Sequence, residues 1–332
     1  MAIAAWQVLW CVLCGQVFAT KLYNGIFICR TNKLMIKYCT IAAACLFAGL
    51  ANATPPNDTA MLRQHILTEM AKQPQGYFAV AFKNLATGET FFIHEHDSFH
   101  AASTMKTPVL IETYKQAAEH KFALGDSILV HTTFNSIYDG SSYLLDSASD
   151  SEKDLYFKVG TKLPITDLLF SMITKSSNLA TNLMIELVGA TNVMGTLQAM
   201  GVRDIQVLRG VEDSKAFAHG MNNTVTAYGL LQVFEQIANG KAVNQQACEG
   251  MVDILQHQFF RDVIPAKLPP DVKVANKSGS ITGVCHDSGI VFLPDGRKYV
   301  VVLLSKDIPD YNAAADILAN VSKMLYDHVV AN

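Results

Sequence analysis

Cysteine and charge are scarce in the larger part of this sequence, and several familiar catalytic motifs are missing altogether. Of its 7 cysteines, only Cys248 and Cys285 lie beyond residue 53, and no spacing resembles a zinc site. The chain contains no G-x-S-x-G, H-E-x-x-H or G-x-G-x-x-G pattern. These absent motifs argue against α/β-hydrolases, zinc proteases and dinucleotide-binding enzymes. Whether Cys248 and Cys285 form a disulfide is left open by the sequence.

Charged residues make up only 17% of the 332 positions, and their distribution is uneven. Residues 1–53 contain four basic residues and no Asp or Glu, so the rest of the chain carries a net negative charge. An acidic body argues against nucleic acids and other anionic polymers as partners. Half of the residues are hydrophobic and no internal repeat occurs, which is compatible with a large domain that has a well-buried core.

The N-terminal region contains the pattern of a secretory signal peptide over Met35–Ala53. A basic start precedes a short apolar segment and an A-x-A cleavage site before Thr54. We therefore expect residues 1–34 to be an upstream extension that is absent from the native product, with a membrane-inserted hairpin as the alternative. We therefore predict that the mature protein covers residues 54–332 and is secreted or periplasmic. We also predict that it is a monomer and has no stable membrane partner after the signal peptide is removed.

Hydrophobic periodicity predicts an α+β fold. A helix over 58–72 and a hairpin of strands over 77–82 and 89–94 come first. Helical patterns follow over 103–120 (with Val109, Leu110, Tyr114 and Ala118 as the buried stripe), 165–174, 179–188, 192–200, 226–238 and 244–255. Strand-like runs over 272–277, 289–293 and 299–305 and a helix over 311–329 come last. Such segregated runs favour one antiparallel sheet built from both chain ends, with the middle helices as a second layer or lobe.

Two polar features of the sequence are candidates for metal binding, and neither is convincing. The stretch 131–160 is aperiodic and is acidic over Asp146–Asp154, but it fits no calcium loop, so a solvated surface insertion is expected. His94 and His96 would share one face of a strand, yet no third ligand is evident. No metal or other cofactor is predicted.

The segment His100–Pro108 holds the first candidate for covalent chemistry. Ser103 stands at the predicted start of a helix and Lys106 follows almost one turn later, which places both side chains on one face. A serine hydroxyl needs a neighbouring base to become a nucleophile, and a lysine with a lowered pKa can be that base. Alone, this S-x-x-K pattern is a weak signal.

Two further motifs follow in a fixed order. Ser176-Ser177-Asn178 opens a helix, and Lys277-Ser278-Gly279 ends a strand. S-x-x-K, S-x-N and K-S-G in this order, about 70 and 100 residues apart, resemble the penicillin-recognising serine acyltransferases, and class A β-lactamases in particular. The resemblance covers residues 54–332 and implies the β-lactamase/transpeptidase-like fold, with a five-stranded antiparallel sheet and a helical lobe over about 120–265.

The resemblance also implies a mechanism and a substrate. Ser103 would attack a small-molecule β-lactam or wall peptide after losing its proton to Lys106, or to Glu212 through water. Glu212 occupies the place of the glutamate that class A enzymes use for hydrolysis of the acyl-enzyme. Backbone N–H groups of Ser103 and Ser280 would stabilise the oxyanion.

The remaining motif residues take their implied roles from the same resemblance. Ser176 would pass a proton to the departing nitrogen, Asn178 would hold the substrate amide, and Lys277, Ser278 and Gly279 would bind its carboxylate side. The implied activity is that of a β-lactamase. A D-Ala-D-Ala peptidase and a penicillin- or wall-binding protein that acylates without turnover are the competing hypotheses.

The sequence departs from the class A pattern at several positions. Ser177 stands where an aspartate is usual, and Ala216 replaces an expected asparagine. The glutamate loop, Arg209-Gly210-Val211-Glu212, is one residue longer than the usual R-x-E. No arginine follows Lys277 before Arg297, so His286 and Asp287 are considered either as substitutes or as a pair with each other.

Non-catalytic interpretations also exist for each motif. Lys106 could be solvated, Ser176 could serve only as an N-cap, Lys277-Ser278-Gly279 could be a plain strand end, and Arg209 could pair with Glu212.

Overall fold

The computed structural model describes residues 58–332. The strands are β1 (Tyr77–Asn84), β2 (Thr90–Ile93), β3 (Phe99–His100), β4 (Ser127–Leu129), β5 (Thr133–Asn135), β6 (Ser142–Leu144), β7 (Lys162–Pro164), β8 (Thr224–Val225), β9 (Lys273–Ile281), β10 (Val284–Phe292) and β11 (Lys298–Lys306). The α-helices are α1 (Asp58–Met70), α2 (Lys106–Ala118), α3 (Ile165–Thr174), α4 (Asn178–Val188), α5 (Ala190–Ala199), α6 (Ser214–Ala218), α7 (Ala227–Ala238), α8 (Gln245–Gln256) and α9 (Tyr311–Ala331), and 3₁₀ turns cover Ala102–Met105 and Lys153–Lys158.

The main sheet combines strands from both ends of the described chain. Its five strands lie in the order β2-β1-β11-β10-β9, and each neighbouring pair is antiparallel. Strand β1 pairs with β11 from Tyr77 opposite Lys306 to Asn84 opposite Tyr299. Because hairpins join β1 to β2, β9 to β10 and β10 to β11, only the β1–β11 pairing of this sheet requires distant segments to meet. The α+β fold and the five-stranded antiparallel sheet predicted from the sequence are confirmed.

Both faces of the sheet are buried, each in its own hydrophobic core. One core includes Ile66 of α1 and Leu318 of α9, which pack with sheet residues such as Val301. The other contains the middle helices and sheet residues such as Val302. Successive side chains of a strand point to opposite faces, so β11 is apolar at consecutive positions and reads as a continuous hydrophobic run. The predicted boundaries of the helical lobe, about 120–265, stay a prediction.

Helix α2 is more enclosed than its predicted stripe requires. Val109 and Leu110 are fully buried as expected, but Ala118 is exposed at the last turn. Glu112 and Thr113 are fully buried polar residues that the stripe did not include. The amphipathic assignment was therefore wrong at these positions, because α3, α4, α5 and α8 surround the helix.

The solvated surface insertion expected over 131–160 is exposed at most of its positions, but two of its carboxylates are buried. Asp150 is 4% exposed and Glu152 is 5% exposed. Their carboxylates accept hydrogen bonds or ion pairs at the start of α4 and at Lys175, and these contacts compensate for their burial. The polar composition of this stretch predicted exposed side chains, whereas Asp150 and Glu152 contact the residues at the start of α4 and just before it.

The cysteines and the two strand histidines have structural environments. Cys248 and Cys285 are both free and buried, and they lie in separate hydrophobic cores. Strand β2 ends at Ile93, so His94 and His96 do not alternate on it; His94 stacks on Tyr77 and His96 contacts Asp204. Over residues 58–332 no group of His, Cys, Asp or Glu side chains is arranged to hold a metal ion.

Within residues 58–332 no helix is long and apolar enough to cross a membrane. The predicted upstream extension and signal peptide lie outside the described residues.

Candidate active site

The first candidate residue, Ser103, lies in the 3₁₀ turn that leads directly into α2. Ala102, just before it, has φ 44°, a left-handed conformation that costs a non-glycine residue about 1–3 kcal/mol. The backbone N–H of Ala102 donates to His100 Nδ1 at 3.0 Å. Buried His286 donates from Nε2 to the His100 carbonyl at 3.0 Å, because its Nδ1 accepts the Ser305 N–H. These bonds hold the strained residue next to the candidate nucleophile.

Lys106 begins α2 and is fully buried, so the interpretation of a solvated lysine was wrong. Its Nζ donates to the Ser176 carbonyl at 2.6 Å, to Ser176 Oγ at 3.2 Å and to Asn178 Oδ1 at 3.2 Å. Burial disfavours the charged form and lowers the pKa of Lys106 to about 7, although the carboxylates of Asp150 and Glu212 oppose this shift. A lysine with such a pKa is partly neutral near pH 7 and can accept a proton.

A second buried lysine lies on the other side of Ser176. Lys277, on β9, donates to Ser176 Oγ at 3.1 Å and to the Ser278 carbonyl at 2.8 Å. Burial and the nearby Lys106 lower the pKa of Lys277 well below its usual value. The Ser176 hydroxyl oxygen therefore lies within hydrogen-bond distance of both amines.

Strand β9 packs closely against the Ser103 turn. A Cβ added at Gly279 would lie 3.0 Å from the Ser103 backbone nitrogen, so a side chain at this position would press on the Ser103 turn. Ser278 is half-buried, and Ser280 is exposed at the end of the same strand. Because β9 is an edge strand of the sheet, this arrangement places Ser103 beside a free strand edge.

Glu212 is exposed and lies near Asn178. Asn178 Nδ2 donates to Glu212 Oε1 at 2.7 Å, and Ser149 Oγ lies 3.1 Å from both carboxylate oxygens. Glu212 has φ 62°, so its loop bends sharply at the carboxylate itself. The structure therefore brings together Lys106, Ser176, Asn178, Glu212 and Lys277 through a continuous set of hydrogen bonds.

The segment before Glu212 is anchored by Asn182 of α4. Its side chain accepts the Val211 N–H at 2.7 Å and donates to the Val211 carbonyl at 3.1 Å. A Cβ on Gly210 would lie 2.5 Å from Asn182 Oδ1, so a larger residue there would displace the Asn182 side chain from Val211. Arg209 binds the carbonyls of Met221 and Gly210, and the pairing with Glu212 that the sequence allowed is not formed.

The structure also rejects the N-cap role of Ser176 and both roles considered for His286 and Asp287. The N-cap of α4 is Ser177, whose hydroxyl accepts the Ala180 N–H. His286 and Asp287 are buried and do not pair: Asp287 accepts from Asn276 and from the Ile264 N–H. Burial raises the pKa of Asp287 to about 7 and lowers that of His286 to about 4. Neither side chain is placed to substitute for the missing arginine.

Sequence reasoning missed Asn182, Ser149 and Asp150. Asn182 follows Asn178 by four positions on one helix, a spacing that puts both on one face and could have identified it. Ser149 and Asp150 lie in an aperiodic loop and had no such signal.

Comparisons with known proteins identify the family of this chain. The sequence model of the Beta-lactamase enzyme family matches residues 61–329. The extended-spectrum β-lactamase PER-1 of Pseudomonas aeruginosa is 26% identical over 177 residues, which cover 49% of this chain and only 56% of PER-1. The β-lactamase VEB-1 of Pseudomonas aeruginosa is 21% identical over 317 residues, which cover 89% of this chain and 98% of VEB-1.

Solved structures show the same architecture. PBP-A superposes with a TM-score of 0.70 and 25% identity, covering 82% of this chain and 96% of that chain. A β-lactamase from Sphaerobacter thermophilus DSM 20745 superposes with a TM-score of 0.68 and 24% identity, covering 82% and 97%. With its described residues matched almost end to end, the chain belongs to the β-lactamase enzyme family, as a serine hydrolase of the class A β-lactamase type.

Proposed function

We propose that this protein opens β-lactam rings through an acyl-enzyme on Ser103 and then hydrolyses that ester with water activated by Glu212. The observation that carries the proposal is the hydrogen-bonded set that links buried Lys106 to Ser176, Asn178 and Glu212. One set of contacts then contains a base for forming the ester and a carboxylate for breaking it.

In the acylation step, neutral Lys106 takes the proton of Ser103 while the Ser103 oxygen attacks the lactam carbonyl. The low pKa of Lys106 supports this role because an ordinary lysine would be almost fully protonated at pH 7. Backbone N–H groups of Ser103 and Ser280 stabilise the developing oxyanion. The close approach of Gly279 to Ser103 supports this pairing of the turn with the strand edge.

Ser176 carries the proton to the lactam nitrogen as the C–N bond breaks. Its oxygen lies 3.2 Å from Lys106 Nζ, and this distance suits a proton relay. Asn178 holds the substrate amide, and Lys277 with Ser278 and Gly279 binds the substrate carboxylate, whose negative charge favours the protonated form of the lysine. No cofactor takes part.

In the deacylation step, Glu212 accepts a proton from water as the water oxygen bonds to the ester carbonyl carbon. The bond between that carbon and the Ser103 oxygen then breaks, and the proton passes to the Ser103 oxygen, which restores the hydroxyl and the Glu212 carboxylate. Asn178 and Ser149 hold the carboxylate. Ala216, a buried residue of α6, has a methyl side chain and therefore no amide that could hold this water.

The second candidate function is penicillin binding without turnover, and the structural likeness to PBP-A supports it. A single-residue mutant of PBP-A has been captured as an acyl-enzyme complex with penicillin G, and it is 25% identical to this chain. A D-Ala-D-Ala peptidase uses the same acylation chemistry on a wall peptide. Glu212 favours hydrolysis over both, because an acyl-enzyme persists unless a base activates water.

The deciding experiment is steady-state hydrolysis of a chromogenic cephalosporin, followed by intact mass spectrometry of the enzyme. Multiple turnovers that disappear in Ser103→Ala support the proposal. One equivalent of product with a stable mass adduct would support a binding protein. No product from the cephalosporin, together with D-Ala release from a wall peptide, would support a peptidase.

Secretion, the monomeric state and the absence of nucleic-acid partners are part of the same proposal. The intact mass of the exported protein tests the predicted cleavage before Thr54, and retention of residues 1–34 would overturn it. Light scattering of the exported protein tests the monomer.

A further inference from the structure

Four consecutive residues, 149–152, contact the turn that carries Ser176 and the Glu212 carboxylate. Ser149 lies against Glu212, and Ser151 Oγ donates to the Lys175 carbonyl at 2.6 Å. Glu152 forms an ion pair with Lys175. Every residue of this short segment therefore contacts a neighbour of the reacting groups, although none belongs to the three motifs.

Asp150 is the buried centre of this segment. Its Oδ2 accepts hydrogen bonds from the Leu179 N–H at 2.9 Å, the Tyr156 hydroxyl at 3.1 Å and the Ser177 hydroxyl at 3.3 Å. Its Oδ1 accepts the Glu152 N–H at 3.0 Å. Four donors surround one buried carboxylate, a number that offsets the cost of removing the charge from water.

The carboxylate lies at the N-terminus of α4, an 11-residue helix. Unpaired N–H groups and the helix dipole favour an anion there. Ser177 and Leu179, which Asp150 binds, alternate along the chain with Ser176 and Asn178. Fixing the backbone at Ser177 and Leu179 therefore also fixes the direction of the Ser176 and Asn178 side chains. Ser176 needs this support because its φ of 58° is a strained conformation for a residue other than glycine.

We propose that Asp150 is a positioning residue for acylation: its carboxylate, supplied from a separate loop, orients Ser176 and Asn178 toward Lys106 by binding Ser177 and Leu179. The inference rests on the proposed function above. In the class A pattern, the middle residue of S-x-N is an aspartate, and here that residue is Ser177. We infer that Asp150 supplies the carboxylate at this turn in place of that aspartate.

The kinetic test compares Asp150→Asn with Asp154→Asn, an exposed aspartate four positions later with the same chemistry. Asp150→Asn is expected to slow acylation by a fluorescent penicillin about 10- to 100-fold, whereas Asp154→Asn stays within twofold. The exchange variant Asp150→Ser/Ser177→Asp moves the carboxylate to the middle position. It is expected to recover most of the lost rate.

A second measurement does not depend on turnover. Lys106 faces the carboxylates of Asp150 and Glu212 and the amine of Lys277, and the Asp150 carboxylate raises its pKa. In Asp150→Asn the pH midpoint of the Lys106 ¹³Cε NMR signal is therefore expected to fall, and in Asp154→Asn it stays.

The outcomes separate the two proposals. If the unaltered protein is neither acylated nor active, the proposed function fails, while the Lys106 midpoint still tests the placement of Asp150. An unchanged midpoint with acylation within twofold in a folded Asp150→Asn variant overturns the inference. A rate loss that merely follows a lower Tm, and that the exchange variant does not recover, overturns it too.

Discussion

The lysine end of the active site, formed by Lys106 and Lys277, and the glutamate end, formed by Glu212, are held in different ways. Both lysines are fully buried, and they belong to α2 and β9. Glu212 is exposed, lies outside any helix or strand, and contacts the side chains of Asn178 and Ser149. Burial in regular secondary structure lowers the pKa of both lysines. The position of the Glu212 carboxylate instead depends on side-chain hydrogen bonds and on the left-handed backbone conformation of Glu212 itself.

This difference separates the two chemical steps. In the proposed mechanism, acylation depends on groups that only a large repacking would displace, because close-packed interiors resist small shifts. Deacylation would depend on the loop that carries Glu212, whose position rests on a few polar contacts. We therefore expect the glutamate end to lose function through smaller changes than the lysine end.

The largest expected effect is at the nucleophile that both ends share. Ser103→Ala should reduce turnover roughly a thousandfold or more, because no other group can form the ester. Cephalosporin hydrolysis and the mass of penicillin-treated enzyme measure this. A mass adduct that persists in the variant would contradict Ser103 as the attachment site.

Removing the glutamate end alone should split the two steps. Glu212→Gln should leave acylation nearly intact and slow deacylation about 100- to 10,000-fold, since general-base catalysis contributes that much. The acyl-enzyme should then accumulate in the mass spectrum. Glu119→Gln, an exposed glutamate at the end of α2, is the control; equal loss of both steps in Glu212→Gln would break the proposed division.

The lysine end should give acylation its pH dependence. Lys106 must be neutral to accept a proton, so the acylation rate should rise about tenfold per pH unit below pH 7 and level off above it. Stopped-flow acylation over pH 5–9 measures this. The charged groups that face Lys106 are Asp150, Glu212 and Lys277, and a profile flat across pH 7 would exclude Lys106 as the base.

The same shift has a consequence for stability with a definite sign. The folded pKa of Lys106 is about 7 and the unfolded value is near 10.5. Between these values the unfolded chain holds a proton that the folded protein lacks, so this lysine makes stability rise with pH across that window. Comparing urea midpoints of the protein and Lys106→Met from pH 7 to 10 isolates the effect; equal slopes would contradict it.

The smallest expected effects come from two glycines, one at each end. Gly279→Ala should slow acylation about tenfold because its Cβ would press on the Ser103 nitrogen. Gly210→Ala should slow deacylation instead, because its Cβ would displace Asn182 from Val211. Gly195→Ala in α5 meets no atom within 4 Å and is the control. The reverse assignment of the two effects would refute the comparison.

Much of the fold was predictable because its signals are local. The hairpins, the helix stripes and the segregated order of elements follow from hydrophobic periodicity and turn residues. Two strand boundaries were wrong: β9 continues to Ile281, so Lys277-Ser278-Gly279 lies inside it, and β10 begins at Val284 instead of residue 289. The assignment was weaker for α2, where burial by four other helices replaces the one-sided stripe of a surface helix.

The candidate site was predictable where its residues form motifs. Ser103 with Lys106, Ser176 with Asn178, and Lys277 with Gly279 are each separated by a fixed short spacing, and their order along the chain identified the family. The chemical roles of these residues stay predictions.

The sequence by itself determined the α+β fold and the order of the motifs, since both depend on local spacing. Only the tertiary structure decided that Asp150 is buried at the start of α4, that Asn182 holds Val211, and that Cys248 and Cys285 remain apart. The physical reason is that burial and hydrogen bonding at these positions come from residues distant in the chain. A polar residue in an aperiodic loop has no local signal that distinguishes solvent from a buried partner.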